Sequence, residues 1–419
     1  MGQMFQRVKG FQDILGDDCL YWQYAEDTIK AIFKQYSISE VRLPVLERTE
    51  VFNRGIGGTT DIVEKEMFTM DDSSGGGTLS LRPEATAGIV RAYIENGLYN
   101  PPILHRFYCI GPMFRKENPQ KGRFRQFVQG DVEFLGSSSP LTDADIIGML
   151  MSYFDKLGLG KFVKLELNSV GCPKCRPSYQ KKLIDYFNGH AGEMCEDCNR
   201  RLERNPLRVL DCKQQKCREF IKNAPIMLDE LCDECKEHFD NVQYYLGLLN
   251  VPFVINPLMV RGLDYYVRTA FEVVTDKLGA ASAVGGGGRY DGLVETLGGP
   301  STPGIGFAIG MDRVVALLKE VSTVEKLQPL VYVVTFGDKS LEEGLKVLTR
   351  LRSLGIVAEI DYAQKGLKNQ MKKADRSGAK YAIIMGEDEL ARGVVSVRTM
   401  ANSSQEEMSL ENFYKLIKE

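Results

Sequence analysis

With 419 residues, 43% of them hydrophobic, the chain can bury a large core, and its length leads to an expectation of roughly three domains. Its 53 basic and 56 acidic side chains leave a net charge of −3, which argues against a protein that coats DNA or RNA through clustered positive charge. No run of about 18 uninterrupted apolar residues is present to span a membrane, and MGQMFQRVKGFQD lacks the apolar stretch of a secretory signal, so a cytoplasmic protein is expected.

Trp22, Ala25, Ile29, Ile32 and Phe33 recur at helical spacing and predict a helix from Cys19 to Gln35. VRLPVLE, residues 41–47, predicts its extended partner, with Pro44 directing it to a sheet edge or a bulge. DDSSGGGT at 71–78 reads as a hairpin tip. Pro83 then suits the first turn of a helix running to Asn96 and stopped by Gly97. A further helix is predicted after Thr142, with Thr142 and Asp145 as a capping box. From about 170 to 240 the chain turns polar and cysteine-rich, which predicts an insertion with its own small core. The interrupted domain resumes over Val254–Asp312. Beyond the linker Ser322–Gln328, LVYVVTF, IVAEI, YAIIM and VVSVRT alternate with helices ending near Leu354 and Ser377, before a last helix near 409–418. That alternation predicts a compact α/β domain with a mostly parallel sheet. The expected domains are therefore 1–325, interrupted by 170–240, and 328–419.

In VQGDVEFL, residues 128–135, strand periodicity puts Gln129, Asp131 and Glu133 on one face and Val128, Val132 and Phe134 on the other. A row of acceptors can hold an ammonium group and a ring N–H, the plain alternative being a solvated polar face. Upstream, FYCIGPMFRKENPQKGRFRQF predicts a strand ending at Arg115 and a hairpin that brings Arg115 to this acidic face. Its loop carries Lys116, Lys121, Arg123 and Arg125 against Glu117. A guanidinium fork can grip a phosphate and a carboxylate oxygen together, which suits attack of a carboxylate on an α-phosphate. GIGFAIGMDRVVALL, 304–318, reads as a glycine-rich strand entering a helix with Arg313 in its first turn, where exposed N–H groups and a cation make an anion site. GGGG at 285–288 lacks the spacing of a dinucleotide fingerprint, and reads as backbone approaching a ligand or another strand. RGLDYYVRTAFEV, 261–273, combines Arg, Asp and two tyrosines beside a β-rich run, which points to a pocket.

Together these segments resemble the class II aminoacyl-tRNA synthetases, and specifically the histidyl family, over essentially the whole chain. FRKENPQKGRFRQFVQ resembles the second motif of the class and GIGFAIGMDR the third. LRPEATA at 81–87 narrows the subgroup, and RGLDYY at 261–266 and GGRYDGLV at 287–294 resemble the two histidine signatures. The resemblance implies an α+β fold: an antiparallel-sheet catalytic core with the cysteine-rich insertion, followed by an anticodon-binding domain that would use five lysines and Arg376 between 365 and 380. It implies ATP-dependent ligation of histidine to tRNA(His) through a histidyl-adenylate. Glu84, Thr86 and Gln129 would hold the α-amino group, with Ala85 beside it; Glu133 and Tyr266, with Tyr265, would recognise the imidazole. Arg115 and Arg261 would grip the carboxylate and α-phosphate, Arg313 the far end of ATP, and Arg123 the phosphates or the tRNA end. Magnesium would bridge the phosphates near Glu117 and Glu133. A homodimer through residues 30–47 is also implied. The family usually has Gly at Ala85 and Glu at Asp312, departures that imply fine tuning. A pocket pairing both ring nitrogens rejects amino acids lacking them by about 10⁴, so no editing domain is needed.

Eight of the ten cysteines fall between 172 and 235: Cys172 and Cys175, Cys195 and Cys198, Cys212 and Cys217, Cys232 and Cys235. Three pairs are CxxC knuckles, the spacing of tetrahedral zinc, and disulfides are not expected in the cytosol. One or two structural zinc sites of four cysteines each, and metal-free thiols, are the two readings, and sequence does not say which pairs would share an ion. Cys19 and Cys109 read as buried thiols. A regulatory paralogue, such as the histidine-sensing subunit that partners ATP phosphoribosyltransferase, would be expected to lack the last domain and part of the arginine set, both of which this chain keeps. A zinc-knuckle RNA-binding protein would account for only the 64 residues from 172 to 235.

Overall fold

The computed structural model describes residues 5–417 apart from 59, 121, 191, 280, 281 and 325–327. Lys121, the centre of the expected linker and residue 418 therefore lie outside the described residues. The chain forms two compact units, Met1–Val324 and Glu325–Glu419. No helix among the described residues is long and apolar enough to cross a membrane.

The strands of the first unit are β1 (Ser39–Glu40), β2 (Leu46–Arg48), β3 (Thr69–Asp71), β4 (Thr78–Leu81), β5 (His105–Phe114), β6 (Gln126–Leu135), β7 (Lys164–Ser169), β8 (Val254–Ile255), β9 (Val267–Thr275), β10 (Ser282–Arg289) and β11 (Gly304–Gly310). The main sheet runs β1-β5-β6-β11-β10-β9-β7-β8 and is antiparallel from β5 to β7, with short parallel strands at both edges. Its helices are α1 (Asp18–Gln35), α2 (Thr49–Ile56), α3 (Thr86–Glu95), α4 (Pro140–Lys156), α5 (Arg176–Asn188), α6 (Glu196–Arg204), α7 (Gln215–Ile221), α8 (Asp233–Leu248), α9 (Leu293–Thr296) and α10 (Met311–Val321). Helices α1, α4, α8 and α10 pack their apolar stripes on one face of the sheet, against Val132, Phe134, Phe271, Val273, Ile305 and Ile309. The opposite face is left for a site. The expected insertion has its own core, in which Tyr179, Leu183, Phe187 and Val209 surround the cysteines.

Several expected boundaries move for identifiable reasons. Helix α3 starts at Thr86, not at Pro83, because the Glu84 carboxylate accepts the amides of Thr86 (2.8 Å) and Ala87 (2.9 Å) and so caps the helix itself. Gly97, at φ 63°, follows its end as expected. Helix α4 is capped by Ser139 with Pro140 in the first turn; Thr142 instead shares a 2.7 Å hydrogen bond with Ser137, so the Thr142–Asp145 capping box does not form. Of VRLPVLE only Leu46 and Glu47 lie in a strand, because Pro44 has no N–H to give a ladder.

In the second unit β12 (Val331–Phe336), β13 (Ala358–Ile360), β14 (Tyr381–Gly386), β15 (Val395–Thr399) and β16 (Gln405–Met408) form a sheet in the order β13-β12-β14-β15-β16. The first three strands are parallel and the last two antiparallel, so the sheet is mixed where a mostly parallel one was expected. The polar strand β16, QEEM, has no apolar alternation to reveal it. Helices α11 (Asp338–Ser353), α12 (Leu367–Ser377), α13 (Glu387–Ala391) and α14 (Leu410–Leu416) complete the unit. Helix α12 buries only Gln370 and Ala374, one turn apart, and leaves its lysines in water.

Candidate active site

The open face of the main sheet floors a cavity of about 940 Å³. Alternation along β6 sends Gln129, Asp131 and Glu133 into it while Val132 and Phe134 enter the core. Strand β9 repeats the pattern, with Glu272 in the cavity between Phe271 and Val273 in the core. Two glycines make the room. A Cβ on Gly306 of β11 would lie 1.7 Å from Glu133 Oε2, and one on Gly286 of β10 would lie 2.9 Å from Arg261 Nη1.

One end of the cavity is acidic. The Thr86 hydroxyl donates to Glu133 Oε1 at 2.6 Å, and the Tyr290 hydroxyl donates to Glu133 Oε2. Burial nevertheless pushes the Glu133 carboxyl up to about 8. Asp131 is 1% exposed, and neither of its carboxylate oxygens has a partner. Burial, then Glu133 and Glu84, holds its carboxyl well above the usual carboxylate range. Gln129 Oε1 is likewise buried and unpartnered. Tyr265 and Tyr266 wall this end, their rings 4.6 Å apart, and Tyr290 closes it with its ring 5.7 Å from Tyr265.

The other end is cationic. Arg115 is fixed by a 2.9 Å bond from Nε to Pro83 O and lies over the Phe127 ring at 5.2 Å. Arg313, in the first turn of α10, reaches the carbonyls of Gly122 and Ala283. Arg123 pairs with Glu117 at 3.1 Å. Burial, and then Arg123 and Arg115 nearby, lowers the Arg313 guanidinium, as expected of cations crowded without an anion. Between the two ends Arg261 pairs with Glu272, lies 5.5 Å from the Tyr266 ring centroid and keeps a buried Nε without a partner.

Glu84, Thr86, Arg115, Arg123, Gln129, Glu133, Arg261, Tyr265, Tyr266 and Arg313 thus line one cavity, although they come from distant parts of the chain. Ala85 does not join them. It is fully buried in the apolar cluster with Ile89, Tyr93 and Tyr290, so its methyl does not crowd the site. Asp312 bridges two elements, accepting from Gln12 Nε2 and from the Val128 amide, each at 2.8 Å. Residues 10–314 match the family model described as Histidyl-tRNA synthetase, and residues 330–419 match that described as Anticodon binding domain.

The chain belongs to the histidyl-tRNA synthetase family. A Histidine--tRNA ligase of Pelotomaculum thermopropionicum is 48% identical over 415 residues, 99% of this chain and 97% of that protein. One of Halothermothrix orenii is 48% identical over 406 residues, 96% of each chain. The crystal structure of apo histidyl-tRNA synthetase from S. aureus matches with a TM-score of 0.82 at 37% identity, covering 99% of this chain and 100% of that one. The fold expected from the resemblance, a class II synthetase core with a C-terminal anticodon-binding domain, is the one observed.

Three further groups, to which the family resemblance assigns no role, share this cavity. Tyr290 lies inside GGRYDGLV, and Asp131 on the acceptor face of β6, so both had a visible signal. Arg208, Lys213 and Arg218 of the insertion also line the cavity, and nothing in their spacing announces it. The insertion also resolves the pairing of its cysteines. Cys172, Cys175, Cys232 and Cys235 form one cluster and Cys195, Cys198, Cys212 and Cys217 another, with the sulfurs of each within 4.8 Å of one another.

Proposed function

We propose that this chain performs ATP-dependent ligation of histidine to tRNA(His) with the division of labour that the two-ended cavity suggests. The observation that carries the reading is the meeting of Arg115, Arg261 and Arg313 with Glu84, Gln129 and Glu133 in one enclosure. Gln129 Oε1, the Thr86 hydroxyl and Glu84 receive the α-ammonium, while Glu133 and Tyr266 receive the ring, with Tyr265 against it. Arg115 and Arg261 hold the substrate carboxylate against the α-phosphate. A carboxylate oxygen then bonds to phosphorus as pyrophosphate leaves, and the charge that builds there meets guanidinium groups already in place. Arg313 and Arg123 hold the outgoing phosphates. In the second half-reaction a terminal ribose hydroxyl of tRNA attacks the acyl carbon and AMP leaves. Histidine-dependent ATP–pyrophosphate exchange tests the first step directly: exchange that proceeds equally without histidine would overturn the assignment.

Magnesium, when bound, neutralises phosphate charge in such sites. Glu133 does not suit it, since both its oxygens already accept hydroxyls. Glu117 does, and Glu66 lines the same cavity, its carboxyl raised by burial and by Glu117.

Asp131, whose carboxylate oxygens have no partner, adds a fourth acceptor for the ammonium group. Asp131→Asn is expected to raise KM for histidine about tenfold and leave KM for ATP unchanged, because a hydrogen bond to a charged group contributes about 1.5 kcal/mol or more. Equal loss for both substrates would remove Asp131 from this role.

The second unit reads the anticodon through exposed Lys365, Lys368, Lys372 and Arg376. Homodimerisation through residues 30–47 accords with the exposed Val45 and Leu46, and sedimentation tests it. Ten free thiols accord with a reducing cytoplasm. Each cysteine cluster holds one structural Zn²⁺. Protein purified without chelator is expected to carry two zinc ions per chain by elemental analysis, and fewer than one would defeat the idea.

A further inference from the structure

The two cysteine clusters occupy different places in the architecture. The Cys195, Cys198, Cys212 and Cys217 cluster sits within the body of the insertion, among α6, α7 and the turn between them. The other stands at its root, where the chain leaves β7 through Cys172 and Cys175 and returns into α8 through Cys232 and Cys235. At the root, Cys172 Sγ lies 3.5 Å from Cys175 Sγ and 3.9 Å from Cys232 Sγ. A tetrahedron with Zn–S bonds of about 2.3 Å has edges of about 3.8 Å, so these separations fit four thiolates around zinc. They are far beyond a disulfide bond of about 2.05 Å. The Cys232 amide donates to Cys175 Sγ at 3.2 Å, a contact that favours the thiolate.

Two arms run from this root cluster to the residues that line the imidazole end. On the first, Arg176 follows Cys175 directly, and its guanidinium donates to Val170 O at 3.1 Å and to Tyr266 O. The Arg268 amide donates to Gly171 O at 2.9 Å and the Val170 amide to Arg268 O at 2.8 Å, so the knuckle is laced to the segment that presents Tyr266. On the second, His238 lies one turn beyond Cys235 on α8, with Nε2 2.8 Å from Asp143 Oδ2. Asp143 is completely buried and also accepts from Thr269 Oγ1 at 2.6 Å and from Arg289 Nε at 3.1 Å. Arg289 is the backbone neighbour of Tyr290, whose hydroxyl holds Glu133.

We propose that the root cluster is a zinc site that positions the histidine pocket, so that affinity for histidine, and not for ATP, depends on its ion. This rests on the reading of the Glu133–Tyr266 end as the imidazole pocket. Arg176 and His238 are the positioning residues, each acting through another group. Without the ion, four thiols, three of them buried, lose the bond that fixes their spacing, and both arms lose a common anchor. The phosphate end, built from Arg115, Arg123 and Arg313, shares no hydrogen bond with either arm among the described residues.

The test uses the full-length protein, with zinc counted by elemental analysis and with histidine and a non-hydrolysable ATP analogue titrated calorimetrically. Cys232→Ser should lose one zinc and bind histidine about tenfold more weakly, with nucleotide affinity unchanged. Cys217→Ser should lose the other zinc and weaken histidine less than Cys232→Ser does, since Arg208 beside that cluster touches only Gly262 and Asp264 of the pocket segment. Arg176→Met should keep both ions and still weaken histidine, which separates positioning from loss of folding. Cys232→Ser protein that lacks one ion but binds histidine normally overturns the proposal. So does a parallel loss of histidine and nucleotide binding, since that signals general unfolding. Wild-type protein that binds histidine with less than one zinc overturns the metal role alone, whereas wild-type protein that binds no histidine overturns the synthetase reading beneath it.

Discussion

Arg261→Ala should lower histidine-dependent pyrophosphate exchange by about 10³-fold or more, while the circular dichroism spectrum stays that of the wild type. Arg261 stands midway between the acidic and cationic ends, where the substrate carboxylate and the α-phosphate must meet. Its Nε is buried with no acceptor, and its remaining contacts, Glu272 and the Tyr266 ring, belong to the cavity wall. A buried donor left unpaired is costly unless a ligand completes it. The alanine variant should keep its fold because the lost side chain borders open cavity that water can enter. Glu272, already raised by burial, can then take up a proton in place of its lost partner. Wild-type exchange in this variant would show that the cavity does not catalyse the reaction.

Glu133→Gln should make the free protein more stable at alkaline pH and a far weaker histidine binder. The folded carboxyl titrates at about 8, above the ordinary carboxylate value of 4.5. Between those values the folded chain binds more protons than the unfolded one. The stability linked to this group is therefore fully present below pH 4.5 and is lost as pH rises through about 8. An amide of the same shape does not ionise, so the variant's melting temperature should exceed that of the wild type by a margin that grows across this range. A margin that shrinks with rising pH would contradict the sign. Above about pH 8, where the amide replaces an ionised acceptor for the ring N–H, histidine affinity should fall about 10- to 100-fold. Stability and binding then move in opposite directions at one position, as expected where a site is built at the expense of the fold.

The β6 face was legible because a strand's period of two leaves little freedom once one set of alternate residues is apolar. Arg115 could be placed against it because a hairpin ties neighbours in sequence. What stayed hidden depends on contacts between distant segments. The Glu84 carboxylate displaces Pro83 as the start of α3 through a local bond that no apolar pattern records. Ala85 was expected beside the substrate from its place in a motif, yet the turn into α3 rotates its methyl into the core. The cysteine pairs show the same limit: spacing marks each knuckle, but only the fold decides that Cys172 meets Cys232 across 60 positions. The polar strand β16 has a turn signature before it, Asn402-Ser403-Ser404, but no apolar periodicity of its own to announce a strand.

The room around Glu133 and Arg261 comes from side chains that are missing at Gly306 and Gly286. Glycine is the smallest residue there is, so no substitution at these two positions can enlarge the enclosure; every change there makes it smaller. A redesign that aims to admit a bulkier amino acid must therefore work through the tyrosine wall, trimming Tyr265, Tyr266 or Tyr290, and leave the sheet floor as it stands.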